Sequence, residues 1–341
     1  MTNALKEPAQ TSVLSVNGAM TAWLRDGRPV VEAIVIETIG AAPVPAGGRM
    51  VIASDDDFQG SVSGGCVEAD VIAAALDVMT DGKSQTLTFG IGDELAWRSG
   101  LPCGSTIRVA VVPVEASAAA LIADAHDAVS RDRQRRVIAT HLRDGVRCVY
   151  DTAEGAPRDV VNAFANGISS TIETETGETF IHVLSPPPRI AIVGATHVAQ
   201  VLNAMAKAAG YDVVVIDPRS AFTSATRFDA ETAITGWPET AIAGIANDPF
   251  TAIVTLTHVG HIDDEALKIA MRAPCRYIGA LGSRKTHAAR VARLKAGGYS
   301  DAEIARIHAP IGLKIGGRAP GEIAVSILAE VVAAFNEQSA Q

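Results

Sequence analysis

The residues with the most chemical content lie in one run, Gly60-Ser61-Val62-Ser63-Gly64-Gly65-Cys66-Val67-Glu68. A small glycine-rich turn there leads straight into a predicted helix. Backbone N–H groups in such a turn, with the helix dipole behind them, form a site for phosphate or a similar anion. Ser63, Gly64 and Gly65 would line it. Cys66, at the helix start, gains thiolate character from the same dipole. Glu68 suits the dipole in the first turn, although its charge opposes that thiolate locally. A tight strand-to-helix connection with a small residue that happens to be cysteine explains the same pattern without chemistry, and both readings stay open. A second loop cysteine, Cys103, sits beside Gly104 in Leu101-Pro102-Cys103-Gly104-Ser105, a turn before the strand expected from Ile107. Read alone it is a turn residue.

The second half of the chain holds three further constellations. Gly194-Ala195-Thr196-His197-Val198-Ala199 occupies the place of a dinucleotide-binding turn, with Gly194 and Ala199 in the first and third glycine positions and Thr196 in the second. A Cβ at position 196 crowds the approach of a pyrophosphate. Asp217, about 20 residues on, stands where a ribose-binding acid belongs. His258 follows a predicted strand, at the edge of the sheet where open α/β folds bind ligands, with Asp263 five residues later. Gly282-Ser283-Arg284-Lys285 follows another strand and opens a helix, again an arrangement suited to an anion; a capped helix start with solvated cations is the plainer alternative.

The elements that must position these residues divide at Ser185-Pro186-Pro187-Pro188, a stiff connector unable to donate backbone hydrogen bonds at its prolines. It separates an N-terminal domain, 1–184, from a C-terminal domain, 189–341. Beyond the prolines, apolar runs at 189–193, 213–216, 253–256 and 277–279 alternate with helix-period stretches. That alternation predicts βαβ units and a parallel sheet with helices on both faces. The fold class is α/β: a Rossmann-like, doubly wound C-terminal domain preceded by a mixed α/β N-terminal one. In the first domain, strands are expected at 30–39, 49–53 and 107–112, with helices at 67–79 and 116–130. Residues 136–183 read as short strands and turns. Pro320 and Glu322, after Gly316-Gly317-Arg318-Ala319, are ordinary chemistry for the start of a last helix.

Composition narrows the class of function. The chain has 341 residues, 48% of them hydrophobic and 4% aromatic, with a net charge of −9. The negative balance argues against nucleic acid, and Arg133, Arg135 and Arg136 form the one tight basic cluster, best read as a solvated surface. The most apolar stretch, around 109–122, is broken by Pro113 and Glu115, so no membrane span is expected. With a polar N-terminus the reading is a soluble, cytoplasmic protein. The four cysteines, Cys66, Cys103, Cys148 and Cys275, show neither paired spacing nor metal-ligand clustering, which argues against a disulfide framework or a zinc site.

In order along nearly its whole length, the chain resembles the XdhC/CoxI family of accessory proteins for molybdenum hydroxylases. The resemblance rests on residues 60–68 and Pro102-Cys103-Gly104 in the first domain. In the second it rests on 194–199, Asp217-Pro218-Arg219, Thr257-His258 with Asp263, and Tyr277-Ile278-Gly279-Ala280-Leu281-Gly282-Ser283-Arg284. Pro310-Ile311-Gly312-Leu313-Lys314-Ile315-Gly316 and the closing Glu322-Ile323-Ala324-Val325-Ser326-Ile327 with Ala329-Glu330 complete it. Two positions depart from the family pattern: Thr196 replaces the second glycine of the Rossmann turn, and Ser105 stands where a second glycine commonly follows Cys103-Gly104.

The resemblance implies an accessory, maturation-factor role rather than a catalyst of its own. Such a protein binds a molybdopterin-type molybdenum cofactor, either the mononucleotide or the cytidine dinucleotide form. It protects the cofactor during exchange of an oxo ligand for sulfide and delivers it to an apo molybdenum hydroxylase. A cysteine desulfurase is the implied sulfur donor, a cofactor nucleotidyltransferase a further partner, and a homodimer the default assembly. The implied cofactor-binding residues are Ser63, Gly64, Gly65, Cys66, Glu68, Cys103, Gly104, Gly194, His197, Asp217, His258, Asp263, Gly282, Ser283 and Arg284. Cys66 is assigned either a contact to the molybdenum or sulfur handling. The competing reading is an NAD(P)-dependent oxidoreductase that binds nucleotide on the Rossmann-like domain, with His258 as general acid/base.

Overall fold

The structure, a computed structural model, describes residues 13–90 and 105–336. The chain forms two compact units, Met1–Ser185 and Pro186–Gln341.

The first unit holds two antiparallel sheets. The larger contains β1 (Val30–Ile39), β2 (Arg49–Ile52), β3 (Phe58–Gly60), β4 (Gln85–Phe89) and β5 (Thr106–Val114), in the order β3-β2-β1-β5-β4. The smaller contains β6 (Arg136–His141), β7 (Arg147–Tyr150), β8 (Ser170–Thr174) and β9 (Gly177–Leu184), in the order β7-β6-β9-β8. Strand β1 is buried on both faces, so its sequence is a near-continuous apolar run rather than an alternation. On one face Val31, Ala33 and Val35 pack with Val71, Ala75 and Val78 of helix α2 (Glu68–Asp81). On the other, Ile34 and Ile36 meet Leu142 and Phe180 of the smaller sheet's side. Helix α1 (Val13–Arg25) and helix α3 (Ala116–Asp132) close a further cluster around Met20 and Ile122, and helix α4 (Arg158–Asn166) covers the smaller sheet through Val160 and Ala163. The strands and helices at 30–39, 49–52, 68–81, 106–114 and 116–132 fall where periodicity puts them, and the region after 136 proves to be a complete four-stranded sheet.

Glu32 lies in the same β1 run and is fully buried. Its carboxylate accepts hydrogen bonds from Arg49 on β2 and from Arg147 on β7 (2.7 Å), so one charge joins the two sheets. Arg49 also donates to Asn17 on α1 (2.8 Å) and contacts His126 on α3 (2.9 Å). Burial would raise the Glu32 carboxyl, but the two guanidiniums outweigh it and hold it at about 2. His126 and His182 move the other way. Burial, then the Arg49 charge, lowers them to about 3 and about 4.

The second unit is a six-stranded parallel sheet of β10 (Arg189–Val193), β11 (Asp212–Asp217), β12 (Ala233–Thr235), β13 (Thr251–Thr255), β14 (Tyr277–Ala280) and β15 (Ile307–His308). Its order, β12-β11-β10-β13-β14-β15, is the 3-2-1-4-5-6 of a Rossmann fold. Helices α5 (His197–Ala208) and α10 (Pro320–Asn336) pack on one face through Leu202, Ala206, Ile327 and Val331. The other face carries α6 (Pro238–Ala241), α7 (Gly260–Arg272), α8 (Arg284–Ala296) and α9 (Asp301–Ala305) through Ile242, Leu267, Leu294 and Ile304. The strand order reverses between β10 and β13, and there the chain runs tight. Gly194 has φ +107°, and a Cβ on it would lie 2.7 Å from the Thr257 nitrogen. Only glycine fits that crossing. No helix among the described residues is long and apolar enough to cross a membrane.

Two outcomes follow for the first unit. Glu32→Gln leaves two buried guanidiniums without a charge partner and should cost about 3–5 kcal/mol in urea unfolding; a loss below about 1 kcal/mol would contradict the bridging role. The second concerns acid. A histidine whose folded value lies below its unfolded one is neutral in the fold and binds a proton on unfolding. Stability is therefore complete above the unfolded value of 6.5 and is lost as pH falls from there toward 4 and 3. The Glu32 carboxylate adds a further loss as pH falls from 4.5 toward 2. Unfolding midpoints measured across this range should fall below about pH 6.5, by at most about 1.4 kcal/mol per pH unit for each histidine, and His182→Gln should flatten the slope.

Candidate functional site

The glycine-rich run between β3 and α2 folds around Glu68. Its carboxylate accepts hydrogen bonds from the N–H groups of Val62 (3.2 Å), Ser63 (3.0 Å), Gly65 (2.9 Å) and Val67 (3.1 Å), and from the hydroxyls of Ser61 and Ser63. The Ser63 hydroxyl in turn accepts from the N–H groups of Cys66 (2.9 Å) and Val67 (3.0 Å). Gly64 and Gly65 take positive φ of +83° and +111°, which lets the loop wrap one acceptor. The nest expected to receive an external anion thus already holds one of the chain's own. Burial would raise the Glu68 carboxyl, but the serine hydroxyls and backbone N–H groups lower it to about 2, so it stays ionised at any ordinary pH. The positive end of α2 is thereby compensated inside the chain. Cys66 stands exposed on the rim of this braced loop, its thiol free. Cys148 is also exposed, whereas Cys275 is buried and its thiol is pushed up to about 11 by burial. Cys103 and Gly104 lie outside the described residues. Among the described residues, no three His, Cys, Asp or Glu side chains gather where they could hold a metal ion.

At the carboxyl ends of the parallel strands, Asp217 terminates β11 and is fully buried. One oxygen accepts from the Ala195 N–H (2.9 Å) and from Arg219 Nη2 (2.7 Å); the other accepts from the Arg219 N–H (2.9 Å) and Nε (2.8 Å). The acid expected to read a ribose is instead engaged in holding the Gly194 turn and orienting Arg219. Burial would raise its carboxyl, and the Arg219 hydrogen bonds overcome that and lower it. Arg219 is partly exposed and lies over the Phe222 ring at 3.9 Å, so the group presented there is a guanidinium. Thr196 is the N-cap of α5, its hydroxyl accepting from the Ala199 N–H (3.4 Å). His197 is the first residue of that helix and is exposed.

One strand further along, the geometry brings together residues that sequence places far apart. His258, Asp263, Gly282 and Ser283 line a cleft of about 390 Å³, with Gly260, Leu281, Thr286, Arg290 and Arg293. His258 is exposed and sits at φ +59°; with Arg133 it is a non-glycine residue in the left-handed region among the described residues. Asp263 is buried and accepts from the Thr257 hydroxyl at 2.6 Å. Burial raises its carboxyl despite that hydrogen bond and the nearby Arg290. Ser283 caps α8 by accepting from the Thr286 N–H (3.1 Å), and Arg284 is that helix's exposed first residue. Sequence reading missed Arg219, Arg290 and Arg293 as site residues. A signal was present for the last two: 283, 286, 290 and 293 follow the three-and-four spacing of one helix face.

Comparison with known proteins bears on the family and the fold. Residues 190–331 match the XdhC Rossmann domain, and residues 23–90 match the XdhC and CoxI family. The chain is 30% identical over 312 residues to the molybdenum cofactor insertion chaperone PaoD of Escherichia coli, covering 90% of this chain and 84% of that one. This chain belongs to the XdhC/CoxI family. It is also 28% identical over 324 residues to a probable xanthine dehydrogenase component of Bacillus subtilis, covering 92% of this chain and 95% of that one. A crystal structure described as a xanthine dehydrogenase from Bacillus halodurans shares the fold, with a TM-score of 0.71 at 24% identity over 94% of this chain and 96% of that one.

The loop of this family member around Glu68 can be tested directly. Glu68→Ala removes the common acceptor of the loop and should cost about 1–3 kcal/mol. Amide exchange at Val62, Ser63, Gly65 and Val67 should accelerate while the β10–β13 amides stay protected. Unchanged exchange at those four amides would show that the loop is held by something else.

Proposed function

We propose that this XdhC/CoxI chain is a chaperone for a molybdopterin-type molybdenum cofactor: it holds the cofactor while an oxo ligand is exchanged for sulfide, then delivers it to an apo molybdenum hydroxylase of the xanthine dehydrogenase kind. The observation that carries the reading is the match to a molybdenum cofactor insertion chaperone across 90% of this chain. A cysteine desulfurase would supply the sulfur and a nucleotidyltransferase the dinucleotide form, in the cytoplasm.

The residues suit that cargo. A pterin cofactor combines an anionic phosphate end with a soft, sulfur-bound metal. Cys66 offers a soft ligand or sulfur carrier, held on a loop whose backbone is fixed by Glu68 rather than waiting for the ligand to order it. Considered by itself, the second unit's sheet edge, with Arg219 and the cleft at Ser283, offers cationic and dipolar groups to an anion. For the rival reading, an NAD(P)-dependent oxidoreductase, the engagement of both Asp217 oxygens within the chain weakens the support for reading a ribose 2′-hydroxyl.

The chain purified anaerobically from a cofactor-making host should carry molybdenum and pterin. Cys66→Ala then separates the two roles of the thiol. Cofactor retained but left unable to activate a client assigns sulfur handling, and cofactor lost assigns ligation. A wild-type protein devoid of pterin, even after incubation with free cofactor, would overturn the chaperone reading in favour of nicotinamide binding.

A further inference from the structure

We infer that the cleft at the carboxyl ends of β13 and β14 is a receptor for a phosphate-class oxyanion, with the buried guanidinium of Arg290 as its principal donor and the N-terminus of α8 as its second. Arg290 is 2% exposed, yet it lines the cleft. Of its donors, Nη2 reaches the Leu281 carbonyl at 3.3 Å, while Nε and Nη1 are buried without a hydrogen-bond partner. The nearest carboxylate oxygens, on Asp263 and Asp264, stand at 3.7 and 3.6 Å, inside ion-pair range but beyond a hydrogen bond. Buried guanidinium donors left unmet are costly and call for an acceptor. A guanidinium combines a delocalised charge with several N–H donors, which suits the oxygens of a phosphate.

The surroundings favour an anion. Helix α8 runs 13 residues from Arg284, and its cap is a neutral serine hydroxyl, so its positive end is not compensated as that of α2 is by Glu68. Gly282, at φ +139°, keeps the strand-to-helix turn bare of a side chain beside Ser283 and Thr286. The opposing charges are accounted for. Asp264 is held by Arg293 through two hydrogen bonds, at 2.6 and 3.1 Å, and Asp263 is turned onto the Thr257 hydroxyl at 2.6 Å. His258 completes the rim. The usual pyrophosphate turn, at Gly194, already has the Asp217 carboxylate on its Ala195 N–H. In this chain the anion-binding capacity has moved from the β10–α5 turn to the β14–α8 turn. That the anion is the phosphate or diphosphate of a pterin rests on the chaperone reading; the oxyanion site itself does not.

The test is calorimetric titration of the whole chain, made in a host that cannot synthesise molybdopterin, with orthophosphate and with pyrophosphate. Ser283→Asp is the decisive variant: aspartate is as good a helix cap as serine, so the fold is kept, but it sets a negative charge inside the cleft. Wild type should bind at least one probe, with affinity falling as salt rises. Ser283→Asp should weaken binding by about tenfold or more, and Arg290→Lys should do the same by losing the guanidinium donors. The stronger probe distinguishes a monoester from a diphosphate receptor. Absence of binding to both probes, or undiminished binding by Ser283→Asp, overturns the inference. Pterin content from a cofactor-making host keeps the two readings apart. Pyrophosphate binding lost in Ser283→Asp, in a chain that never carries pterin, upholds the cleft and removes the chaperone. Pterin carried by a wild type that binds neither probe does the reverse.

Discussion

The loops of this protein have backbone N–H groups that neither sheet nor helix can satisfy, and the chain answers them with its own carboxylates. Glu68 gathers four N–H groups and two hydroxyls in the first unit. In the second, Asp217 holds the Gly194 turn, Asp263 holds Thr257, Glu322 accepts from the N–H groups of Arg318 and Ala319, and Glu330 accepts from Gly312 and from the Tyr277 hydroxyl. A charged acceptor facing several N–H groups makes stronger hydrogen bonds than a neutral one and loses little freedom if its own helix or strand is already packed. These loops are therefore held by acceptors that belong to the chain itself.

That arrangement decides which groups each unit leaves exposed. A loop ordered by Glu68 presents Cys66 outward without needing an anion beneath it. In the second unit, cations remain available along the parallel sheet edge, at Arg219 over Phe222 and around the serine-capped α8.

The elements were legible wherever a periodicity runs long. The β1 run of apolar residues, the helix face over 68–81 and the alternation of strands and helices after the three prolines could each be read from the chain, and so could the turns that carry Cys66, Gly194, His258 and Ser283. The sheet after residue 136 was harder because two of its strands, β7 and β8, are short and partly exposed, leaving little pattern in either. Glu32 was illegible for a different reason. Within Val30-Val31-Glu32-Ala33 it looks like an interruption, and only Arg49 and Arg147, 17 and 115 residues away, turn it into the joint between two sheets.

By itself, then, the sequence determined the fold class and the local chemistry of each turn, because hydrophobic period, glycine placement and helix caps act over a few residues. The tertiary structure decided which charges meet. It set Glu68 into the nest that looked open to an external anion and closed Asp217 on Arg219. It also left Arg290, on the second turn of α8, with buried donors beside a cleft that Ser283 shares. Electrostatic partners are chosen by distance in space and by burial, and neither quantity is carried by spacing along the chain.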